Sequence, residues 1–210
     1  WGSAQFENDI YGRNIWGCPT DSSADFAWLQ HMAKSMDPIT GRCAVVLPQG
    51  VLFHSGKEGD MREKLVRSDK LEAVITLASG VFYSTGVSAC ILFLNNKKNH
   101  KHKGRICLID GTEIYTPKRA QNEISPDDVK TLYGLYTDYT DVIERCKIVT
   151  IQDVENAGFD LSVRRYIEKK KQKAVSPAIV RRNYFAALEA VRTAEKKMQE
   201  LLIEGGYVHE

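Results

Sequence analysis

Residues 79–94 read SGVFYSTGVSACILFL, a small-residue loop that carries two adjacent rings, Phe82 and Tyr83, between Gly80 and Gly86 and leads into an apolar run. Aromatic rings on such a loop can stack on a planar ligand, because any flat π system offers them a face. The plainer reading is a ring folded down to plug the edge of a sheet. A second chemically able stretch is KKNHKHKGR, with Lys97, Lys98, Lys101, Lys103 and Arg105. Each of these cations could neutralise a phosphate and release counterions; as a lone observation the stretch reads first as the solvated tip of a hairpin.

Other candidate chemistry has less support. The histidines, His31, His54, His100, His102 and His209, form no HExxH pair and stand at no zinc spacing with cysteine, so no metal site is expected. DPITG lies after a helical pattern and before a strand-like one, the reverse of a nucleotide cradle, and reads as a turn. HSGKEGD does sit between strand and helix, yet it puts Glu58 and Asp60 where a phosphate needs positive charge. There is no GxSxG elbow. Cys43, Cys90 and Cys107 stand inside apolar runs and read as structural thiols.

The elements that position these residues follow from periodicity. The opening residues to Ser23 lack a pattern and read as loop. ADFAWLQHMAKSM has Phe26, Leu29, Met32 and Met36 near helical spacing, with Ser23 or Asp25 as a cap. RCAVVLP reads as a buried strand, EGDMREKLVRSD as a helix with acids early and bases late, and LEAVITLA, SACILFLN and RICLIDG as further strands. Helix and strand alternate at first, as in a parallel α/β sheet; the short links around SACILFLN and RICLIDG then favour antiparallel pairing, so a mixed sheet is expected. SPDDVKTLYGLYTDY predicts a helix opened by Ser125 and Pro126, and TIQDVENAG a short one closed by Gly158. A basic linker leads to AIVRRNYFAALEAVRTAEKKMQELLIEGG, whose Val180, Tyr184, Ala187, Val191, Ala194, Met198 and Leu201 alternate four and three apart. That is a long amphipathic helix whose seam could pack internally or dock a partner.

The 210 residues are 43% hydrophobic with a net charge of +2, ordinary for a globular chain, and the charge is concentrated in the lysine turn and in RRYIEKKKQK with Arg181 and Arg182. No apolar run approaches a membrane span and no leader opens the chain, so a cytoplasmic protein is the default. The start at Trp1 reads as a piece of something longer.

SADFAWLQHM, GRCAVVLPQGVLFHSGKEGDMREKLV, LEAVITLASGVFYSTGVSACILFLN, ICLIDG and FDLSVRRYI occur in this order, over about Ser23 to Ile167. Together they resemble the modification subunit of type I restriction systems, a family of adenine-N6 DNA methyltransferases that use S-adenosylmethionine. The family's FxGxG cofactor motif and [DN]PP[FYW] catalytic motif appear nowhere in the chain.

The resemblance implies the C-terminal half of a class I (Rossmann-like) methyltransferase mixed sheet, followed by a helical tail. It implies a loop over residues 1–24, the half-domain over 25–124, a helical extension and linker over 125–176, and a docking helix over 177–210. It also implies that catalytic residues and the main S-adenosylmethionine site lie upstream, that no metal is needed, and that these residues alone are inactive. Phe82, and next Tyr83, would stack on a target adenine flipped out of the duplex. The lysine turn would touch DNA phosphates. Val180, Tyr184, Leu188, Val191, Met198 and Leu201 would dock the specificity subunit, with the motor-nuclease subunit completing the complex. An exposed inner sheet edge would invite self-association. The alternatives are a non-catalytic interaction module and a methyltransferase-fold enzyme acting on RNA or protein.

Overall fold

A computed structural model describes residues 2–83, 85–119, 121–167 and 176–207. The chain separates into two compact units, residues 1–170 and 171–210.

The first unit is built on a five-stranded mixed sheet in the order β1-β3-β2-β4-β5. Its strands are β1 (Arg42–Pro48), β2 (Leu71–Leu77), β3 (Ala89–Asn95), β4 (Arg105–Gly111) and β5 (Cys146–Thr150). β3 runs antiparallel between β1 and β2, β4 runs parallel to β2, and β5 closes the other side antiparallel to β4. β1, β2 and β4 therefore point the same way, and the loops that follow them gather at one end of the sheet.

Side chains alternate across the sheet and build two cores. On one face Val74, Leu92, Leu94 and Leu108 pack with Phe26 and Leu29 of α2 (Asp25–Ser35) and Met61 and Leu65 of α3 (Lys57–Arg67). On the other, Ile75, Leu77 and Ile109 meet Leu132 of α4 (Pro126–Asp138). β2 is buried along its whole length because both faces are covered. Gly111 must lack a side chain: a Cβ there would lie 2.6 Å from the Thr76 carbonyl oxygen.

Several expectations are met. Ser125 caps α4 reciprocally with Asp128, and Pro126 fills its first turn. Thr150 and Asp153 repeat that box at α5 (Ile151–Asn156), and the turn after it passes through Gly158 at φ 70°.

Other expectations need correction. A short helix α1 (Ser3–Glu7) interrupts the opening loop. The residue that caps α2 is Ala24, with no side-chain bond; Asp25 is already in the first turn. RCAVVLP is a half-buried edge strand, with Val45 and Leu47 inward and Val46 50% exposed. RICLIDG pairs with β2 rather than with SACILFLN, so residues 96–104 cross over the start of β2 instead of forming a hairpin tip. β5 was not expected at all, and it carries the sheet past residue 124. The basic linker falls on residues 168–175, outside the described residues.

The second unit holds α6 (Pro177–Glu204), a helix of 28 residues with Pro177 in its first turn and no buried residue. Val180, Tyr184, Val191, Met198 and Leu201 are each more than half exposed, and Leu188 is partly covered.

Candidate nucleic-acid interface

The loop after β2 carries Phe82, 41% exposed, and Tyr83, 86% exposed. Neither ring belongs to either core, Phe82 being partly covered and Tyr83 open to solvent. Beneath them the loop is anchored. Gly80 turns at φ 69°, and its carbonyl accepts from the Asn122 backbone N–H at 2.8 Å. The Asn122 side-chain amide donates to the Ser79 carbonyl at 2.8 Å, and Gln121 Nε2 donates to the Val81 carbonyl at 3.0 Å.

Those partners belong to an excursion that follows β4. Thr116 and Glu123 exchange backbone hydrogen bonds at 2.7 and 3.0 Å, closing a small hairpin that carries Lys118 and Arg119. A cavity of about 490 Å3 lies between excursion and aromatic loop, lined by Phe82, Tyr83, Thr85, Lys118 and Arg119 among others.

A second cavity of about 340 Å3 opens at the same end, lined by Gln49, Thr76, Ser79, Ser88, Thr112 and Arg164 among others. Arg164 comes from the FDLSVRRYI stretch. Its Nε donates to Asp110 at 3.2 Å and its Nη2 to Thr112 Oγ1 at 2.6 Å. Burial pushes the Asp110 carboxyl up, but hydrogen bonds from Thr112 and the Arg164 charge outweigh it and hold the group below its ordinary value. FDLSVRRYI is fastened here by the Leu161 N–H on the Leu52 carbonyl, at 2.9 Å. Arg164 is not among the candidates singled out from the sequence, although it lies inside the FDLSVRRYI pattern.

The lysine turn lies at the opposite end, because β3 ends there and β4 begins there. A strand of seven residues such as β2 separates the ends by about 20 Å. Lys97, Lys101, Lys103 and Arg105 are exposed, whereas Lys98 is buried. Lys98 Nζ donates to Asp69 at 2.7 Å and to the Arg105 carbonyl at 2.9 Å. Burial lowers its pKa, and Asp69 counters only part of that. Lys98 is thus spent on the fold and leaves the set of phosphate contacts.

His102, read as solvated surface, is also engaged. Its Nδ1 lies 2.9 Å from Glu72, and its ring stacks on Tyr139 with centroids 3.6 Å apart. Buried Glu72 also accepts from Tyr136 at 2.7 Å and Asn95 at 3.0 Å. Burial pushes Glu72 up, and these hydrogen bonds more than reverse it, holding the carboxyl below its ordinary value. Tyr136 is pushed up to about 12 by burial and by the neighbouring carboxylate.

The sequence model of the N-6 DNA methylase family matches residues 1–174. The chain belongs to the N-6 DNA methylase family. It is 32% identical over 169 residues to the type I restriction enzyme HindI methylase subunit of Haemophilus influenzae, covering 77% of this chain and 38% of that protein. It is 32% identical over 162 residues to the MjaVIII methylase subunit of Methanocaldococcus jannaschii, covering 76% and 27%. The chain thus spans well under half the length of these relatives. Among solved structures, the type I restriction-modification methyltransferase subunit of Streptococcus thermophilus superposes with TM-score 0.73 at 24% identity, over 80% of this chain and 36% of that one. The EcoKI M protein superposes with TM-score 0.53 at 19% identity, over 89% and 45%. These establish the shared fold.

N-6 DNA methylases imply S-adenosylmethionine, and the described residues do not fit its main cradle. The FxGxG pattern of that cradle occurs nowhere in the sequence, and at the Gly56 turn between β1 and α3 Arg62 is turned inward onto the Val51, His54 and Phe159 carbonyls. Among the described residues no group of His, Cys, Asp or Glu could hold a metal ion, and no helix is long and apolar enough to cross a membrane.

Proposed function

We propose that this chain forms the later strands and the tail of an S-adenosylmethionine-dependent, adenine-specific DNA methyltransferase subunit of a type I restriction-modification system. Its task is to hold the target base. The observation that carries this is Phe82, exposed on an anchored loop at the end of the sheet where β1, β2 and β4 all terminate, in a chain of the N-6 DNA methylase family.

An adenine amine inside a duplex is out of an enzyme's reach. The base is therefore extruded, at a cost of a few kcal/mol in lost stacking and pairing. An aromatic face restores about 1–3 kcal/mol per base. Phe82 supplies one such face, and Tyr83 flanks it. The group that polarises the amine and the cofactor's main site lie in residues outside this chain, which alone transfers no methyl group to DNA. The edge of β1, paired only with β3 among the described residues, is where the remaining strands would add. α6 docks the specificity subunit through Val180, Tyr184, Leu188, Val191, Met198 and Leu201, and the motor-nuclease subunit joins for cleavage. Sequence reading belongs to the specificity subunit.

The test uses the methyltransferase complex that contains this chain, on DNA with 2-aminopurine at the target adenine. Phe82→Ala should abolish the fluorescence change of the extruded base and lower kcat/KM, while Phe82→Trp retains both. Equal kinetics and fluorescence for Phe82→Ala and parent would reject the stacking role. For α6, removal of the chain after Ala174 should abolish association with the specificity subunit; retained association places that contact elsewhere.

A further inference from the structure

The cations the sequence makes conspicuous are at the wrong end of the sheet to serve the extruded nucleotide. The turn over residues 96–104 is about 20 Å from the aromatic loop by strand length. At the loop's own end, the cations beside Phe82 and Tyr83 are Lys118 and Arg119, which the sequence leaves inconspicuous in TPKRAQNE.

Their placement is specific. The excursion is closed by the Thr116–Glu123 backbone pair and fastened to the foot of the aromatic loop by Gln121 and Asn122. These bonds fix the two segments to each other as one unit. Lys118 pairs with Glu123 at the foot of the hairpin. Arg119 is exposed and has no ion pair or hydrogen bond among the described residues. A guanidinium with its fork free is suited to bidentate contact with a phosphate. The cavity between the segments thus has aromatic faces on one side and cations on the other. That is the composition of a groove for an unpaired nucleic-acid strand, in which rings take bases and cations track the backbone.

We infer that the Thr116–Glu123 excursion is a DNA-strand clamp: Arg119, with Lys118, holds the backbone phosphate flanking the nucleotide that Phe82 stacks. This rests on the proposed function, since it takes the bound strand to be the one carrying the extruded adenine. It adds the phosphate contact that fixes that nucleotide's backbone, the contact that positions rather than specifies.

The experiment separates the clamp from the stacking reading. In the complex that contains this chain, Lys118→Ala/Arg119→Ala is compared with parent for the salt dependence of DNA binding. Loss of the clamp should make the log–log slope shallower by about 0.9, the value of one phosphate contact. A methylphosphonate at the phosphate flanking the target adenine should weaken binding by the parent and have no further effect on the double variant. With saturating DNA the 2-aminopurine signal should persist in the double variant and vanish in Phe82→Ala. An unchanged slope, or an equal methylphosphonate penalty for parent and double variant, overturns the clamp. If Phe82→Ala still loses its fluorescence signal in that case, the stacking reading survives alone.

Discussion

The two ends of the sheet treat their polar and aromatic residues in opposite ways. At the end where β2 begins, Glu72 is buried and accepts hydrogen bonds from Tyr136 and Asn95, His102 lies against it, and Lys98 is closed over Asp69 and the Arg105 carbonyl. At the end where β2 stops, Phe82, Tyr83 and Arg119 stand in the open on segments whose backbones are tied down. The first arrangement satisfies polar groups internally and holds a crossover in place. The second leaves two rings and a cation exposed on a fixed base, the arrangement that preorganised binding requires. A run of lysines is thus not a count of available cations, because Lys98 is consumed by the fold.

The sharpest way to break this contrast is at Glu72. Glu72→Ala leaves the Tyr136 hydroxyl, the Asn95 amide and the His102 ring without their common acceptor. Unfolding in denaturant should show a loss of about 2–4 kcal/mol, since stranded buried donors cost more than the bonds contributed. A loss below about 0.5 kcal/mol, the range of ordinary surface changes, would erase the distinction between the ends. At the opposite end, Phe82→Ala should remove about 1–3 kcal/mol of target-base affinity and leave the denaturation midpoint within the error of the parent.

Within the lysine turn, Lys98 and Lys101 should separate. Lys98→Ala removes the donor shared by Asp69, which keeps the Gly104 N–H, and the Arg105 carbonyl, and should cost about 1–3 kcal/mol of stability, whereas Lys101→Ala, on the surface, should stay within about 0.5 kcal/mol. Similar midpoints for the two would mean that Lys98 contributes no more than a solvated cation.

Acid provides the gentlest probe. Glu72 and Asp110 both have folded pKa values held below their ordinary 4.5 and 3.8. Each therefore contributes stability that is complete above the ordinary value and disappears as pH falls through the lower folded one. Stability should be level from neutral pH to about 5 and then decline. Glu72→Gln should flatten part of that decline, and Lys101→Ala should leave it unchanged.

Much of the fold was legible because local pattern and tertiary role agreed. The helical spacing of ADFAWLQHM, the Ser125–Pro126 start of α4 and the β-branched run of LEAVITL each carry their own signal. β5 was not legible: CKIVT is five residues long, follows a polar stretch and becomes a strand only because β4 offers an edge. The aromatic loop was legible as two rings that burial did not demand. Its companion was not, since nothing local in TPKRAQNE places it beside residues some forty positions earlier.

The sequence by itself determined the family, the helices other than α1 and most strands, because family patterns, caps and periodicities are written in adjacent residues. Only the tertiary structure decided that β4 lies beside β2, that Lys98 and His102 belong to the fold, and that Arg119 and Phe82 line one cavity. Those outcomes depend on strand order, which is set by burial on both faces of the sheet and by pairing between residues far apart in the chain.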